Sequence, residues 1–167
     1  VLFRSAIWTL LKLIGPLVSG IAYRADGPIS TWTYGNGLIL KRTYDTDVRL
    51  TKQTLGGLQT LTWGYNNLDQ LTAWTDLLDS ARSQRFGYDA LDRLSSASGP
   101  YAAQTFRYDA NGNRLSAQSG SALTQYTYAL GTQRLASLSG NRSEVRGYDA
   151  TGNPNSVQGI TTIYDVT

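Results

Sequence analysis

A tyrosine that recurs at intervals of 20 to 23 residues constrains this 167-residue chain more than any other feature. The series begins at Tyr23, and only the last interval, the 16 residues from Tyr148 to Tyr164, is shorter. An Asp or Asn follows most of these tyrosines, and a Leu lies six or seven positions after the tyrosine. A period near 20 is too short for repeats built from helix pairs, but it accommodates two strands of about five to seven residues and two turns. The spacing therefore predicts one β-hairpin per repeat.

Most copies of the repeat contain the tyrosine, an acidic or amide residue, a turn, and a step of the Arg-Leu type. These residues are predicted to form the structural motif of the repeat. They are Tyr44, Asp45 and Leu50; Tyr65 and Leu71; Tyr88, Asp89, Arg93 and Leu94; Tyr108, Asp109, Gly112, Arg114 and Leu115; Tyr128 and Leu135; and Tyr148 and Asp149.

The residues before each tyrosine alternate with the period of a β-strand. Trp63 and Tyr65 are two positions apart, as are Phe106 and Tyr108, so each pair shares one face of a strand. After the tyrosine, segments such as 109–113 supply Asx side chains and a Gly that tolerates positive φ. The second strands carry small polar residues and are expected to face water on one side. The predicted fold class is all-β, with antiparallel hairpins repeated in a continuous, spiralling sheet.

The composition excludes most catalytic and metal chemistry. The chain has no Cys, no His and no Met. Structural zinc sites depend chiefly on thiolates and imidazoles, and Ser/His/Asp or Cys/His catalysis requires a histidine. One Glu stands against eleven Asp and three Lys against twelve Arg, a balance typical of a turn-rich β protein. We predict no enzymatic activity, no cofactor and no metal.

Nucleic acid and membrane are also poor partners for this sequence. The formal net charge is only +3, and the arginines are spread at intervals instead of forming a basic run. The most apolar stretch, Ala6–Val18, contains Lys12 and a Gly-Pro step and is shorter than the ~20 residues that a membrane helix needs. We interpret this stretch as buried strands or a short plug. Residues 1–20 form an uncertain N-terminal segment, of which 1–5 are a suspected artefact, and both ends of the chain look cut.

Residues 21–167 are predicted to form the repeat array, and they resemble a known family. The segments Gly87-Tyr-Asp-Ala-Leu-Asp-Arg-Leu94 and Arg107-Tyr-Asp-Ala-Asn-Gly-Asn-Arg-Leu115 are similar to the YD repeat of RHS proteins, which also occurs in teneurins. The resemblance covers roughly Ile21 to Asp165. It implies hairpins that join edge to edge into a sheet, which spirals into a hollow shell enclosing a C-terminal toxin in bacterial members.

The resemblance implies a structural segment of such a shell in a secreted or cell-surface bacterial protein. Its partners would be the adjacent repeats and a cargo toxin domain. The alternative is a cell-surface adhesion module that binds glycans or a protein partner. Three departures are visible: Ala129 replaces the acidic residue, Pro154 replaces the expected Arg or Leu, and the self-cleavage segment that ends the shell in this family is missing.

Several residue groups carry an alternative functional reading. Trp74 and Trp8 lie outside the repeat register and, with Trp63, are candidates for a sugar-stacking platform, although packing is the simpler interpretation. Asp109, Asn111 and Asn113 resemble a calcium loop only faintly, since the Gly and the terminal Glu of an EF-hand loop are not at their positions. The carboxylate pairs Asp76/Asp79 and Asp89/Asp92 suit a glycosidase in principle. The pairs Asp45/Arg49, Asp89/Arg93 and Asp109/Arg114 are expected to be exposed ion pairs flanking their turns.

Overall fold

The computed structural model describes residues 17–157 and 160–161, and these residues form β-strands joined by short turns. One 3-10 turn, Ser80–Arg82, is the only helical element in the described part. The strands are β1 Val18–Tyr23, β2 Ile29–Tyr34, β3 Ile39–Tyr44, β4 Leu50–Leu55, β5 Gln59–Tyr65, β6 Leu71–Asp76, β7 Gln84–Tyr88, β8 Leu94–Ser98, β9 Gln104–Tyr108, β10 Arg114–Ser119, β11 Ala122–Tyr128, β12 Leu135–Gly140, β13 Glu144–Tyr148, β14 Pro154–Val157 and β15 Ile160–Thr161.

The chain divides into two compact units, with the boundary between Arg85 and Phe86 inside β7. In each unit, every strand is hydrogen-bonded to the strands that precede and follow it in sequence. The resolved pairings are all antiparallel, as short connections require. The predicted all-β fold class of repeated antiparallel hairpins is therefore confirmed.

Within residues 17–157, every repeat tyrosine is the last residue of an odd-numbered strand, and the second strand of its hairpin begins after a turn. Wherever the register of the hairpin is seen, that second strand carries one extra residue beside the tyrosine, which makes a β-bulge. In β4, for example, Tyr44 lies opposite Leu50 while Thr43 lies opposite Lys52, so Thr51 is the extra residue. The same shift occurs next to Tyr65, Tyr108, Tyr128 and Tyr148. A bulge at a constant place increases the local twist in the same way in each hairpin.

The bulge corrects one sequence alignment. Leu115 was matched to Leu94, yet Arg114 is the residue opposite Tyr108, and Leu115 is the extra residue of the bulge. The turn from Asp109 to Asn113 is five residues long, as is the turn from Asp89 to Arg93, and this fixed length decides which residue opens the strand. Leu115 is accordingly exposed.

The fourth residue of the five-residue turns lies in the left-handed region of backbone space. Glycine takes this position at Gly112 (φ 87°) and Gly152 (φ 96°). In the first full copy the same position holds Val48 with φ 64°, a conformation that a branched side chain adopts at a cost of about 1–2 kcal/mol.

We expect Val48→Gly to raise the free energy of unfolding by about 1 kcal/mol, because relief of the left-handed strain outweighs the greater chain entropy of glycine. Val48 is exposed, so the substitution gives up little buried area. Urea unfolding of both proteins measures the difference. The reverse substitution, Gly112→Val, is the control and is expected to destabilise; a Val48→Gly variant less stable than the parent would contradict the prediction.

The two faces of the sheet differ in chemistry. Residues directly opposite each other share a face, and in the first unit one face carries Leu40, Leu61 and Trp63 together with the repeat tyrosines. We call this the aromatic face. The other face carries mainly Thr and Lys, such as Lys41 and Thr43, which are exposed. Alternation of half-buried and exposed residues along β9 and β11 gives the second unit the same division. The second strands, which were expected to face water on one side, do not show this alternation, since β4 has one exposed residue and β8 has none.

Little of the described part is deeply buried. The buried apolar residues are Leu40, Leu61, Ala97 and Leu138, with exposures of 4% to 6%. Each hairpin therefore depends on its neighbours in the sheet for what burial it achieves. Val18, the first residue of β1, lies slightly before the predicted array.

Some sequence-based expectations fall outside the described residues. They concern Trp8, Tyr164, Asp165 and the stretch Ala6–Val18 apart from its last two residues. Within the described ranges, no helix has the length and apolar character needed to cross a membrane.

Candidate functional site: a ladder between repeats

The acidic residue after each repeat tyrosine organises the turn. Asp45 Oδ1 accepts hydrogen bonds from the backbone amides of Asp47 (3.0 Å) and Arg49 (2.9 Å). Its Oδ2 accepts from Arg49 Nε at 2.8 Å. Asp89 holds the amides of Leu91 and Arg93, and the Arg93 guanidinium, in the same way. The carboxylate thus satisfies backbone donors that a turn otherwise leaves to water.

An amide can replace this carboxylate without loss of the turn. Asn66 Oδ1 accepts from the amides of Leu68 and Gln70 at 2.9 and 3.0 Å, and its Nδ2 donates to Gln70 Oε1 at 2.7 Å. The Oδ1 acceptor is therefore the shared requirement. Where the residue is Asp, its charge adds an ion pair with the arginine of the turn.

The braced arginine reaches across to the next repeat. The guanidinium of Arg49 lies over the ring of Tyr65 at 5.1 Å, and that of Arg93 lies over the ring of Tyr108 at 4.7 Å. These distances are those of cation–π contacts. Arg49 Nη1 also bonds Asp69 in the next turn, and Arg93 Nη1 donates to the Asp109 carbonyl at 2.6 Å. Each arginine therefore joins two successive turns.

The tyrosine closes the connection in the opposite direction. Its hydroxyl donates to the carbonyl of the residue that opens the second strand of the preceding hairpin. The bonds are Tyr44 to Ile29, Tyr65 to Leu50, Tyr108 to Leu94, Tyr128 to Arg114 and Tyr148 to Leu135, all at 2.9 to 3.0 Å.

We call these hydroxyl bonds, together with the arginines over the next tyrosine, the tyrosine ladder. Arg24 over Tyr44 and Arg134 over Tyr148 are its other arginine steps. Burial raises the pKa of Tyr65, with the nearby Asp45 charge adding to the effect, so its phenol remains a proton donor at neutral pH. These hydrogen bonds and cation–π contacts link one hairpin to the next in the sheet.

Two repeats depart from the pattern in ways that preserve the hydroxyl bond. Ala129 cannot brace its turn, which is one residue longer, and the Thr132 hydroxyl substitutes by accepting from the Arg134 amide at 3.1 Å. Asp109 was expected to pair with Arg114. Its carboxylate is held instead by Asn113, because Arg114 belongs to the strand beyond the turn.

Two carboxylates are buried among the described residues, and both have structural partners. Asp76 Oδ1 accepts from the amides of Leu78 and Asp79, which shapes the loop after β6. Glu144 lies between Arg142 and Arg146, whose hydrogen bonds and charge lower its pKa. Asp79, the suggested partner of Asp76, caps the 3-10 turn through the Ala81 amide. In the second suggested pair, Asp92 occupies the left-handed position of the Asp89 turn.

The structure also places the remaining candidate residues. Trp63 and Trp74 lie directly opposite each other on β5 and β6, on the aromatic face. Asp109 Oδ1 accepts from the amides of Asn111 and Asn113, which is an Asx turn. Over the described residues, no group of three acidic side chains is placed to hold a metal ion.

Removing one ladder hydroxyl should weaken the fold measurably. We expect Tyr65→Phe to lower the free energy of unfolding by about 1 kcal/mol, since a half-buried carbonyl loses its donor while the ring remains. Tyr23→Phe is the matched control, because that tyrosine is 63% exposed and no hydroxyl bond to a preceding strand is seen among the described residues. Chemical denaturation measures both. Equal losses at the two positions would contradict the role of the hydroxyl.

The turn carboxylates should make stability fall in acid. Hydrogen bonds from Thr151 and Asn153 lower the pKa of Asp149 from 3.8 to about 2. Hydrogen bonds from Asn113 lower that of Asp109. At Asp45 and Asp89 burial opposes the shift, but hydrogen bonds from the turn's arginine and amides outweigh it and the pKa is lowered.

A lowered pKa means that the folded state binds fewer protons than the unfolded state. The stabilisation is therefore complete above pH ~4 and is lost as the pH falls towards 2. Thermal unfolding followed by circular dichroism from pH 7 to 2 tests this expectation. Replacing all four aspartates with Asn, as nature does at Asn66, should flatten the acid branch; an unchanged slope would contradict the assignment.

The fold has solved counterparts. No protein-family model and no curated protein matches the chain. Among solved structures, it is similar to the crystal structure of TcdB2-TccC3-TEV, with 17% identity over 94% of this chain and a TM-score of 0.64. It is similar to TcdB2-TccC3 without its hypervariable C-terminal region, with 16% identity over 90% of this chain and a TM-score of 0.62. The Photorhabdus luminescens Tc holotoxin pore matches at 16% identity over 84%, with a TM-score of 0.61.

This chain spans only 10% of the length of each of these chains. At such identities the likeness concerns the fold. Hairpins linked in sequence order, with a tyrosine at the end of each first strand, have the fold of a stretch of the TcdB2-TccC3 chains, which confirms the expected RHS or YD-repeat fold.

Proposed function

We propose that this chain is a structural segment of an RHS-type β-shell that encapsulates a C-terminal toxin or other cargo in a secreted bacterial protein. The observation that carries the proposal is the tyrosine ladder, whose bonds run between repeats and so extend one sheet from hairpin to hairpin. Two of the solved counterparts are described as TcdB2-TccC3, and one of these as TcdB2-TccC3 without its hypervariable C-terminal region.

In this role the segment performs no reaction. Cargo containment requires a wall that stays closed, and the wall is closed by backbone pairing and by the ladder. We propose that the sheet spirals so that its edges meet, as the resemblance implies. Neither the described residues nor the comparisons favour the alternative of a glycan-binding adhesion module.

The test uses the protein produced from the native gene, with an epitope tag on the polypeptide that follows the repeats. Protease is expected to leave the tagged cargo intact. The double substitution Tyr65→Ala, Tyr108→Ala removes two ladder steps and should make the cargo sensitive. Tyr101→Ala, in a turn outside the ladder, is the control. Cargo that is digested equally in the parent protein and the ladder variant would contradict the proposal.

A further inference from the structure

The sequence contains two Asn-Gly steps, and both lie in exposed turns. They are Asn36-Gly37, between β2 and β3, and Asn111-Gly112, between β9 and β10. At such a step the backbone nitrogen of the glycine can attack the side-chain amide carbon of the asparagine, because glycine has no side chain to block the approach. The two steps consist of the same pair of residues, so a difference in their reactivity in the folded protein must come from the turns that hold them.

The turn at Asn36 holds both reacting groups. The Gly37 nitrogen donates a hydrogen bond to the Tyr34 carbonyl at 2.8 Å. The side-chain oxygen of Asn36 accepts a hydrogen bond from the Leu38 amide at 3.1 Å. The attacking nitrogen and the attacked carboxamide must therefore each give up a hydrogen bond before they can react.

The turn at Asn111 leaves the carboxamide free. The Gly112 nitrogen donates to the Asp109 carbonyl over a longer distance, 3.2 Å. The backbone amides of Asn111 and Asn113 are held by Asp109 Oδ1, both at 2.9 Å. Within residues 17–157, however, no hydrogen bond is made by the side chain of Asn111. Its carboxamide can therefore rotate towards the Gly112 nitrogen while the turn stays closed.

We propose that Asn111 is a site of spontaneous deamidation in the folded protein. Hydroxide from the solvent takes the proton of the Gly112 nitrogen, which then forms a bond to the side-chain amide carbon of Asn111. The bond from that carbon to the side-chain nitrogen breaks, and the nitrogen takes a proton from water and leaves as ammonia. Water then opens the resulting succinimide ring at either carbonyl. The products are aspartate and isoaspartate at position 111.

The modification would alter a turn that belongs to the tyrosine ladder. Arg93 donates to the Asp109 carbonyl at 2.6 Å, and the same carbonyl accepts the Gly112 amide. Isoaspartate lengthens the backbone of this turn by one atom, and either product places a second carboxylate beside Asp109. In the first copy Asp47 holds this position and pairs with Arg49 at 3.2 Å, but here the fifth residue of the turn is an asparagine. This inference does not depend on cargo encapsulation.

The test follows both steps in one sample of the whole chain. The folded protein is kept in mildly alkaline buffer, digested with trypsin at intervals and analysed by mass spectrometry. We expect the peptide of residues 108–114 to deamidate about fivefold faster than the peptide of residues 25–41, because one hydrogen bond fewer has to be broken. In urea, where neither turn is formed, the two rates should converge.

Asn111→Gln is the matched variant, since the peptide of residues 108–114 also contains Asn113. Glutamine would have to form a larger and less favoured ring, so this peptide should lose its deamidation. Isoaspartyl methyltransferase should label the parent peptide and not the variant peptide.

Three results would overturn the proposal. The first is deamidation in the folded chain that is as fast at Asn36 as at Asn111. The second is deamidation of the 108–114 peptide that persists in Asn111→Gln, because Asn113 would then be the reacting residue. The third is a folded chain in which Asn111 stays intact over the time that the unfolded chain needs to react.

Discussion

Substitution of Gly140 by alanine is expected to lower the free energy of unfolding by about 3 kcal/mol. Gly140 is the last residue of β12 and has φ 93°, where alanine is strained. A Cβ atom there would lie 2.3 Å from the Leu123 carbonyl oxygen and 3.3 Å from its carbon. Both are backbone atoms, so relief requires β11 and β12 to separate.

Gly112→Ala is the matched control. Gly112 has φ 87°, but a Cβ atom at this turn would meet nothing within 4 Å. The free energy of unfolding of this variant should therefore fall only by the cost of the backbone strain, about 1 kcal/mol. Guanidinium unfolding of the parent and the two variants separates strain from steric clash. Equal losses at the two glycines would show that β11 and β12 do not approach as closely as described.

Truncation of Leu61 to alanine is the second large expected effect, a loss of about 2–4 kcal/mol. Leu61 is 6% exposed on the aromatic face, between Gln53 of β4 and Asp76 of β6. Both neighbours are held in place by backbone pairing, so they cannot collapse into the space that the side chain leaves.

The control for this experiment is Leu91→Ala, which removes the same atoms from a turn residue that is 62% exposed. We expect it to change stability by no more than about 0.5 kcal/mol. Urea denaturation of both variants gives the comparison. Similar losses would mean that the aromatic face is not the side on which the sheet buries its apolar residues.

The tyrosine period was sufficient to predict the hairpins. It places Tyr44, Tyr65 and Tyr108 at the ends of first strands, because the pleat and the turn together impose a nearly constant length on each unit. Alternation around Trp63 predicted which face is aromatic. The turn chemistry was also visible, since Asp45 and Asp89 form the expected pairs with their arginines at 2.8 and 2.7 Å, although these side chains are half-buried and not exposed as predicted.

The contacts between repeats could not be predicted in the same way. The Tyr65 hydroxyl and the Leu50 carbonyl are 15 residues apart, and their meeting depends on the register of β4 against β5. The sequence does not show that the Arg49 side chain contacts the ring of Tyr65 as well as the carboxylate of Asp45. The bulge was also invisible, and it is why Leu115 was aligned with Leu94.

The ladder explains why the repeat tolerates variation at its acidic position and keeps its tyrosine. Asn66 and Ala129 stand where other copies have Asp, and both repeats retain a closed turn. The hydroxyl bond, by contrast, is made by Tyr128 to the Arg114 backbone carbonyl, which any residue can supply. The hydroxyl bond therefore requires a tyrosine at the donor position, whereas any residue can stand at the acceptor position.

Hydrogen exchange in Tyr65→Phe tests most directly whether the tyrosines fasten each hairpin to the one before it. Without that hydroxyl, we predict faster exchange of the backbone amides that pair β4 with β5, and little change in those that pair β5 with β6 inside the same hairpin. Uniform acceleration of both sets, or of neither, would contradict a ladder that acts between repeats.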